Sequence, residues 1–269
     1  MKKRSDVRCR HLNPTKKVRA FLVGAALVLG LTTANHAAAQ AGPATVFLGT
    51  AGTFAALSYA GVTNTGPSVL TGDVGTYPTA SCTGLPTPCT GNGPGKVNGT
   101  VDDADVVAQH AQASLLIAYN DAKGRTTAPT TVAGDLGGRT LSPGLYKSTS
   151  TLAITGTLTL EGAGVYIFQV GSALNVATGG TVVLSGGATA DNVFWQVGSS
   201  AALGTTADFQ GTIMALASVT LGTGARLNGR ALALNGDVTL ESNNVTVPIG
   251  TNTILVVLPP APPRHHNNN

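Results

Sequence analysis

The sequence predicts an all-β fold with one long helix: a β-solenoid, discontinuous in sequence, with an α-helix packed alongside. Three observations predict it. Five stretches fall into one frame, STLAITGTLTL from Ser150, SALNVATGGTVVL from Ser172, SSAALGTTADF from Ser199, ASVTLGTGARL from Ala217 and GDVTLESNNVTV from Gly236. Stacking them puts Leu152, Leu174, Val219 and Val238 in one inward column and Ile154, Val176, Leu203, Leu221 and Leu240 in the next. A degenerate repeat of about 20 residues with period-2 alternation suits a solenoid, because each coil buries its inward face only against the next coil. Second, TGDVG at Thr71 recurs as AGDLG at Ala133 after a long interruption, so N-terminal strands should join coils made by the C-terminal half. Third, the interruption contains one helical pattern.

Residues 1–39 have the grammar of a secretory signal. A basic stretch from Lys2 to Arg19 precedes an apolar run from Ala20 to Leu31, and Ala37, Ala38 and Ala39 offer a cleavage site before Gln40. The run is too short to span a bilayer as a mature helix, so a secreted chain without membrane insertion is expected. Eight of the 16 Lys and Arg lie in this leader with one acid, Asp6, and the chain from Gln40 carries 8 − 11 = −3. Such a chain lacks the basic footprint that nucleic acid requires.

The folded domain is placed at residues 40–258. Strand and turn patterns run from Thr45 to Gly75, followed by a Gly- and Pro-rich cap loop over 77–99. Cys82 and Cys89 lie inside that loop; in an oxidising compartment the pair is expected to form a disulfide, because CxxC spacing and nearby histidine ligands are missing. Residues 101–123 read as the helix, with a capping box from Thr100 to Asp103 and Gly124 as terminator. Its apolar positions Ala104, Val107, Ala108, Ala111, Leu115, Ala118 and Ala122 share one face. A helix of that length covers roughly 33 Å, the height of six or seven coils.

The surface it covers is expected in VYIFQV from Val165, NVFWQV from Asn192, TIMALA from Thr212 and RALAL from Arg230, which are apolar at nearly every position. Phe168, Phe194 and Trp195 belong to these strands and are assigned to packing. After Val247, Ile254 to Leu258 form a candidate edge strand, and 259–269 a disordered Pro-rich tail.

Two faces remain exposed. On the first, the outward positions are Thr151, Ala173, Ser200, Ser218 and Asp237, then Ala153, Asn175, Ala202, Thr220 and Thr239, with Thr155 beside them. Nearly all are short and uncharged. On the second they are Thr157, Thr181, Asp208, Arg226 and Asn244, then Thr159, Val183, Gln210, Asn228 and Thr246, which mix charge with long side chains. Outward residues of a solenoid lie on a grid of about 4.8 by 6.7 Å. Ranks of Thr, Ser, Ala and Asn on that grid can hold ordered water at spacings close to those of hexagonal ice.

Several segments closely resemble the bacterial and fungal ice-binding-like (antifreeze) family: LGTAGTFAALSYAGVTNTG at Leu48, AYNDAKGR at Ala118, LSPGLYK at Leu141, VYIFQVGS at Val165, NVFWQVGSSAALGT at Asn192, FQGTIMALASVTLGTGARLNGRALA at Phe209 and VTLESNNVT at Val238. The resemblance covers nearly the whole chain after the leader. It implies a right-handed discontinuous β-helix of triangular section with a helix alongside. It also implies a secreted protein that adsorbs to an ice crystal surface through one flat solenoid face. The quoted motifs are mostly core and turn residues, so they specify fold more than contact surface.

The alternative on the same scaffold is an extracellular adhesin or surface-matrix module. An enzyme is not expected. Polysaccharide lyases and hydrolases share parallel β-helices but need clustered carboxylates, and Asp208 beside Arg226 reads as a surface ion pair. Asp73 and Asp135 are assigned to capping turn amides. His110 is the sole histidine in the predicted folded region and falls on the solvated side of the helix. GNGPGKV at Gly91 lacks the first Gly and the Ser/Thr of a phosphate loop. No cofactor, metal or catalytic residue is assigned, and a monomer is expected.

Overall fold

The computed structural model describes residues 42–91 and 93–250. The expected leader, the candidate strand at Ile254 to Leu258 and the tail lie outside the described residues. Each full coil supplies three strands, as in Gly144–Ser148, Leu152–Ile154 and Thr157–Glu161, then Tyr166–Val170, Leu174–Val176 and Thr181–Ser185. The coils stack by parallel pairing in strict register: Leu152 lies beside Leu174, then Ala201, Val219 and Val238. These inward residues are fully or almost fully buried, as the alternation requires. Ala201 fills the place that the sequence stacking left vacant.

The solenoid is discontinuous, as expected. Phe54–Ser58 pairs with Arg226–Ala233, Gly61–Thr65 with Asp237–Glu241, and Val69–Thr71 with Asn244–Thr246. The next coil corrects the reading of 77–99 as loop. Cys82–Thr83 pairs with Val62 and Thr63, and Lys96–Asn98 pairs with Val69–Thr71. Turn-rich composition concealed two- and three-residue strands whose hydrogen bonds come from the coil beneath. The segment still closes the core end, because Cys82, Leu85 and Cys89 are buried there, with the two cysteines joined in a disulfide.

The helix begins later than the capping-box reading places it. Val101–Asp103 is a strand paired with Asp73–Thr76, and the helix runs Val106–Gly124. Thr100 spends its hydroxyl on Asp102, while Asp105 caps the helix by accepting from the Val107 and Ala108 amides. Ala104, at φ 56°, makes the corner between strand and helix. Nineteen residues span about 28 Å. The helix returns the chain from the disulfide end of the stack toward the coil opened by Thr130–Thr131.

Ala108, Ala111, Leu115, Ala118 and Ala122 are buried as predicted, whereas Val107 is exposed. Opposite the helix, Leu57, Leu145, Ile167, Phe194, Met214 and Leu232 form the outer side of the covered sheet. On its inner side Tyr146, Phe168 and Trp195 stack with ring centroids 5.0 and 3.9 Å apart. The sheet is therefore buried on both faces, which is why its strands lack alternation. Buried Gln169 donates from its amide nitrogen to the Ala122, Lys123 and Arg125 carbonyls at the helix end.

RALAL contains one charge in that apolar strand. Arg230 is fully buried, donating from Nε to the Gly52 carbonyl at 2.8 Å and from Nη1 to the Thr212 hydroxyl at 3.1 Å. Burial lowers its pKa to about 10, so it remains a cation at neutral pH while tying the N-terminal turn Gly49–Thr53 to the stack.

Candidate functional site: the first exposed face

Eight strands build this face, in the order Cys82–Thr83, Gly61–Thr65, Asp237–Glu241, Val219–Leu221, Ala201–Leu203, Leu174–Val176, Leu152–Ile154 and Gly134–Asp135. Their central outward row is Thr83, Thr63, Thr239, Thr220, Ala202, Asn175, Ala153 and Asp135. Seven steps of about 4.8 Å make it roughly 34 Å long. Every inward neighbour in these strands except Asn64 and Gly134 is an apolar residue, which holds the row outward.

The structure brings the predicted Ala153, Asn175, Ala202, Thr220 and Thr239 into this one row. It extends the row at both ends with residues that sequence stacking missed, Thr63 and Thr83 on one side and Asp135 on the other. The signal was present: an inward residue followed by Thr occurs at Val62–Thr63 and Cys82–Thr83 as it does at Val219–Thr220 and Val238–Thr239. Thr83, Thr63, Thr239 and Thr220 thus form an unbroken threonine ladder over four coils. Repeated identical side chains favour a straight, weakly twisted stack.

Thr151, Ala173, Ser200, Ser218 and Asp237 form the flanking row next to the corner. Ser200 and Ser218 are half-buried, and their hydroxyls accept from the main chain of the following coil: Ser218 N at 3.4 Å and Asp237 N at 3.2 Å. They stitch coils together, whereas the ladder threonines keep their hydroxyls free of intramolecular bonds. Thr155 is exposed on the other flank and donates its hydroxyl to Asp135. Asp135 also accepts from the Gly137 and Thr155 amides at 2.8 and 3.0 Å, the turn-capping role expected of it. The Thr155 hydroxyl and then those two amides hold its carboxyl below the usual carboxylate range. Asp73 likewise accepts from the Thr100 amide.

Besides Asp135 at the end of the row, two more acids interrupt the neutral surface. Asp237 and Glu241 are exposed on either side of Thr239, and Glu241 was not anticipated on this face. On the Glu241 side, Gly204 and Gly222 continue the outward position. A Cβ on Gly204 would come within 2.6 Å of the Ala177 carbonyl carbon, so this flank is backbone packed on backbone.

The second exposed face has the predicted registers, with Asp208 beside Arg226 and Gln210 beside Asn228. The expected Asp208–Arg226 ion pair is not formed. Asp208 instead accepts from the Gln210 amide, and Asn228 donates to Gln210. Among the described residues no group of three His, Cys, Asp or Glu side chains is placed to hold a metal. His110 is exposed, as the helical phase predicts.

The sequence profile of the ice-binding-like family matches residues 56–246. An ice-binding protein of Nostoc sp. (strain HG1) is 41% identical over 227 residues, covering 82% of this chain and 81% of that protein. One from Colwellia sp. is 38% identical over 243 residues, covering 82% and 91%. Among solved structures, an ice-binding protein from an Antarctic biological consortium superposes with a TM-score of 0.73 at 44% identity, covering 77% of this chain and 93% of that one. An ice-binding protein from an Arctic yeast, described for its antifreeze activity, gives 0.71 at 36% identity, covering 77% and 95%.

Proposed function

Because this chain belongs to the ice-binding-like family, we propose that it binds ice through its first exposed face and thereby restrains crystal growth. The observation that carries the choice of face is the four-threonine ladder from Thr83 to Thr220, continued by Ala202, Asn175 and Ala153. Its hydroxyls are free to bond water and its methyls exclude it, so solvent above the row is held on the solenoid's own repeat. Such ordered water can merge with a lattice. The second exposed face carries the charges of Asp208 and Arg226 and spends the amides of Gln210 and Asn228 on side-chain partners, so it offers no comparable array. Thr151, Ala173, Ser200, Ser218 and Thr155 support the plane from its flanks.

Adsorption of this kind needs no bond-making step. The shallow depression on the second exposed face has Asp208 as its one carboxylate, which supports a non-enzymatic reading, since glycoside chemistry uses two. No helix among the described residues is long and apolar enough to cross a membrane. A secretory leader at 1–39 and action outside the cell complete the proposal. The test is growth of single ice crystals in the purified protein. Faceted crystals and a gap between melting and freezing points are expected; rounded, freely growing discs would refute ice binding.

A further inference from the structure

A groove runs along the corner between the helix and the proposed ice face. It consists of two depressions of about 460 and 270 Å³ that share Tyr119, Lys123 and Leu216. Its floor is one corner position repeated through successive coils: Tyr77, Tyr59, Leu234, Leu216, Gly198 and Gly171. The order follows from the strand registers and from the amide of each upper residue bonding to the coil below, as with Tyr77 N to Ser58 O and Leu216 N to Val197 O. Five steps make this floor about 24 Å long.

The two ends differ chemically. At one end Tyr59 is 44% exposed beside the partly exposed Tyr77, presenting aromatic surface with hydroxyls that bond nothing within the chain. Gln109 on the helix and Asn235 on the solenoid line the same half, and Asn120 lies further along the helix beside Tyr119, all three exposed and with unengaged amides. At the other end the floor drops to Gly198 and Gly171, where a Cβ would strike main chain at 2.5 and 2.6 Å. Lys123 and Lys147 stand there as the groove's charged residues, with no Asp or Glu lining either depression.

We propose that this groove binds a linear anionic polysaccharide. Aromatic rings with an apolar body and polar tip suit sugar faces, free amides suit sugar hydroxyls, and the paired lysines suit acidic groups along an extended chain. An elongated slot with a cationic end and no acids favours an anionic polymer over a neutral glycan. Because the corner adjoins the ice face without sharing its central row, polymer and crystal can be held together.

The test is affinity electrophoresis and calorimetry of the full protein with alginate, a soluble polyuronate, and with uncharged dextran. Alginate should be retained at low ionic strength and dextran at least about tenfold more weakly, a difference of about 1.4 kcal/mol. Tyr59→Ala and Lys147→Gln should each weaken alginate binding while leaving ice adsorption intact, and Thr220→Tyr should do the reverse. Absence of alginate binding, equal binding of dextran, or undiminished binding in the Tyr59→Ala/Lys147→Gln double variant would each overturn the assignment. None of these outcomes bears on ice binding, which is read in the same samples.

Discussion

Replacing Thr220 with Tyr tests the proposed face directly. Thr220 is exposed at the centre of the row, with Ala202 and Thr239 as its neighbours about 4.8 Å away on either side. The tyrosine ring would stand roughly 4 Å prouder than the threonine methyl. One layer of hydrogen-bonded water is about 2.8 Å thick, so a rigid lattice would be lifted off all three coils. At about 0.5–1 kcal/mol for each lost contact, three contacts amount to roughly 2 kcal/mol. That is about thirty-fold in the adsorption equilibrium. Folding stability should stay within about 0.5 kcal/mol, since the substitution points away from the core. The assay is partition of labelled protein into a slowly grown ice hemisphere, with thermal unfolding measured on the same preparation. Asn228→Tyr, on the second exposed face, is the control and should adsorb normally. Full adsorption of Thr220→Tyr would refute the choice of face, and loss in the Asn228 variant would move the site to the second face.

Gly204→Ala should destabilise the fold by about 1–3 kcal/mol in chemical denaturation and reduce ice adsorption, because its Cβ has only main chain to displace; an unchanged midpoint would show that the coils can part freely there. Gln169→Leu removes the donor shared by three carbonyls at the helix end and should cost about 2 kcal/mol, seen as faster amide exchange in the last helical turn with ice adsorption preserved. Asp102 is mostly buried, and burial raises its carboxyl pKa. A raised acid binds its proton more tightly in the folded state, so its ionisation lowers stability as pH rises through the unfolded and then the folded pKa. Asp102→Asn should therefore raise the unfolding temperature at pH 7 and have no such advantage at pH 3; equal gains at both would refute the electrostatic cause.

The solenoid was legible because its core is periodic. Leu152, Ile154, Leu174 and their successors repeat an alternation that only stacked coils satisfy, and the covered strands betray their second partner by losing it. Motif resemblance pointed to the same fold. What stayed hidden lies where local pattern and long-range pairing diverge. Cys82–Thr83 and Lys96–Asn98 are strands only because a neighbouring coil offers hydrogen bonds; their own residues spell turns. Val101–Asp103 resembled a helix start because Thr100 and Asp103 have capping-box spacing, yet pairing with Asp73–Thr76 prevails over local propensity. The ladder was half legible: Thr220 and Thr239 fall in the repeat, while Thr63 and Thr83 reach the same row through the chain's discontinuity. The groove was beyond sequence reading, since its floor joins distant segments, Tyr59 and Tyr77 from one and Leu216 and Leu234 from another.

That discontinuity also sets an order of events for a chain made from its N-terminus. Ser58 and Gly52 find partners 178 residues further on, at Gly236 and Arg230. The segments that leave the ribosome first therefore have no template until almost the last coil exists. Folding should start within the uninterrupted run of coils from Gly144, where contacts are between successive coils, and finish when the early strands settle on Arg226–Glu241. Until then the waiting segment exposes Phe54, Ala55, Ala56 and Leu57 with unpaired backbone, a stretch able to add to the edge of another molecule's stack. A chain held unfolded until synthesis is complete avoids that hazard, and the half of the ladder nearest the disulfide is the part of the proposed ice face assembled last.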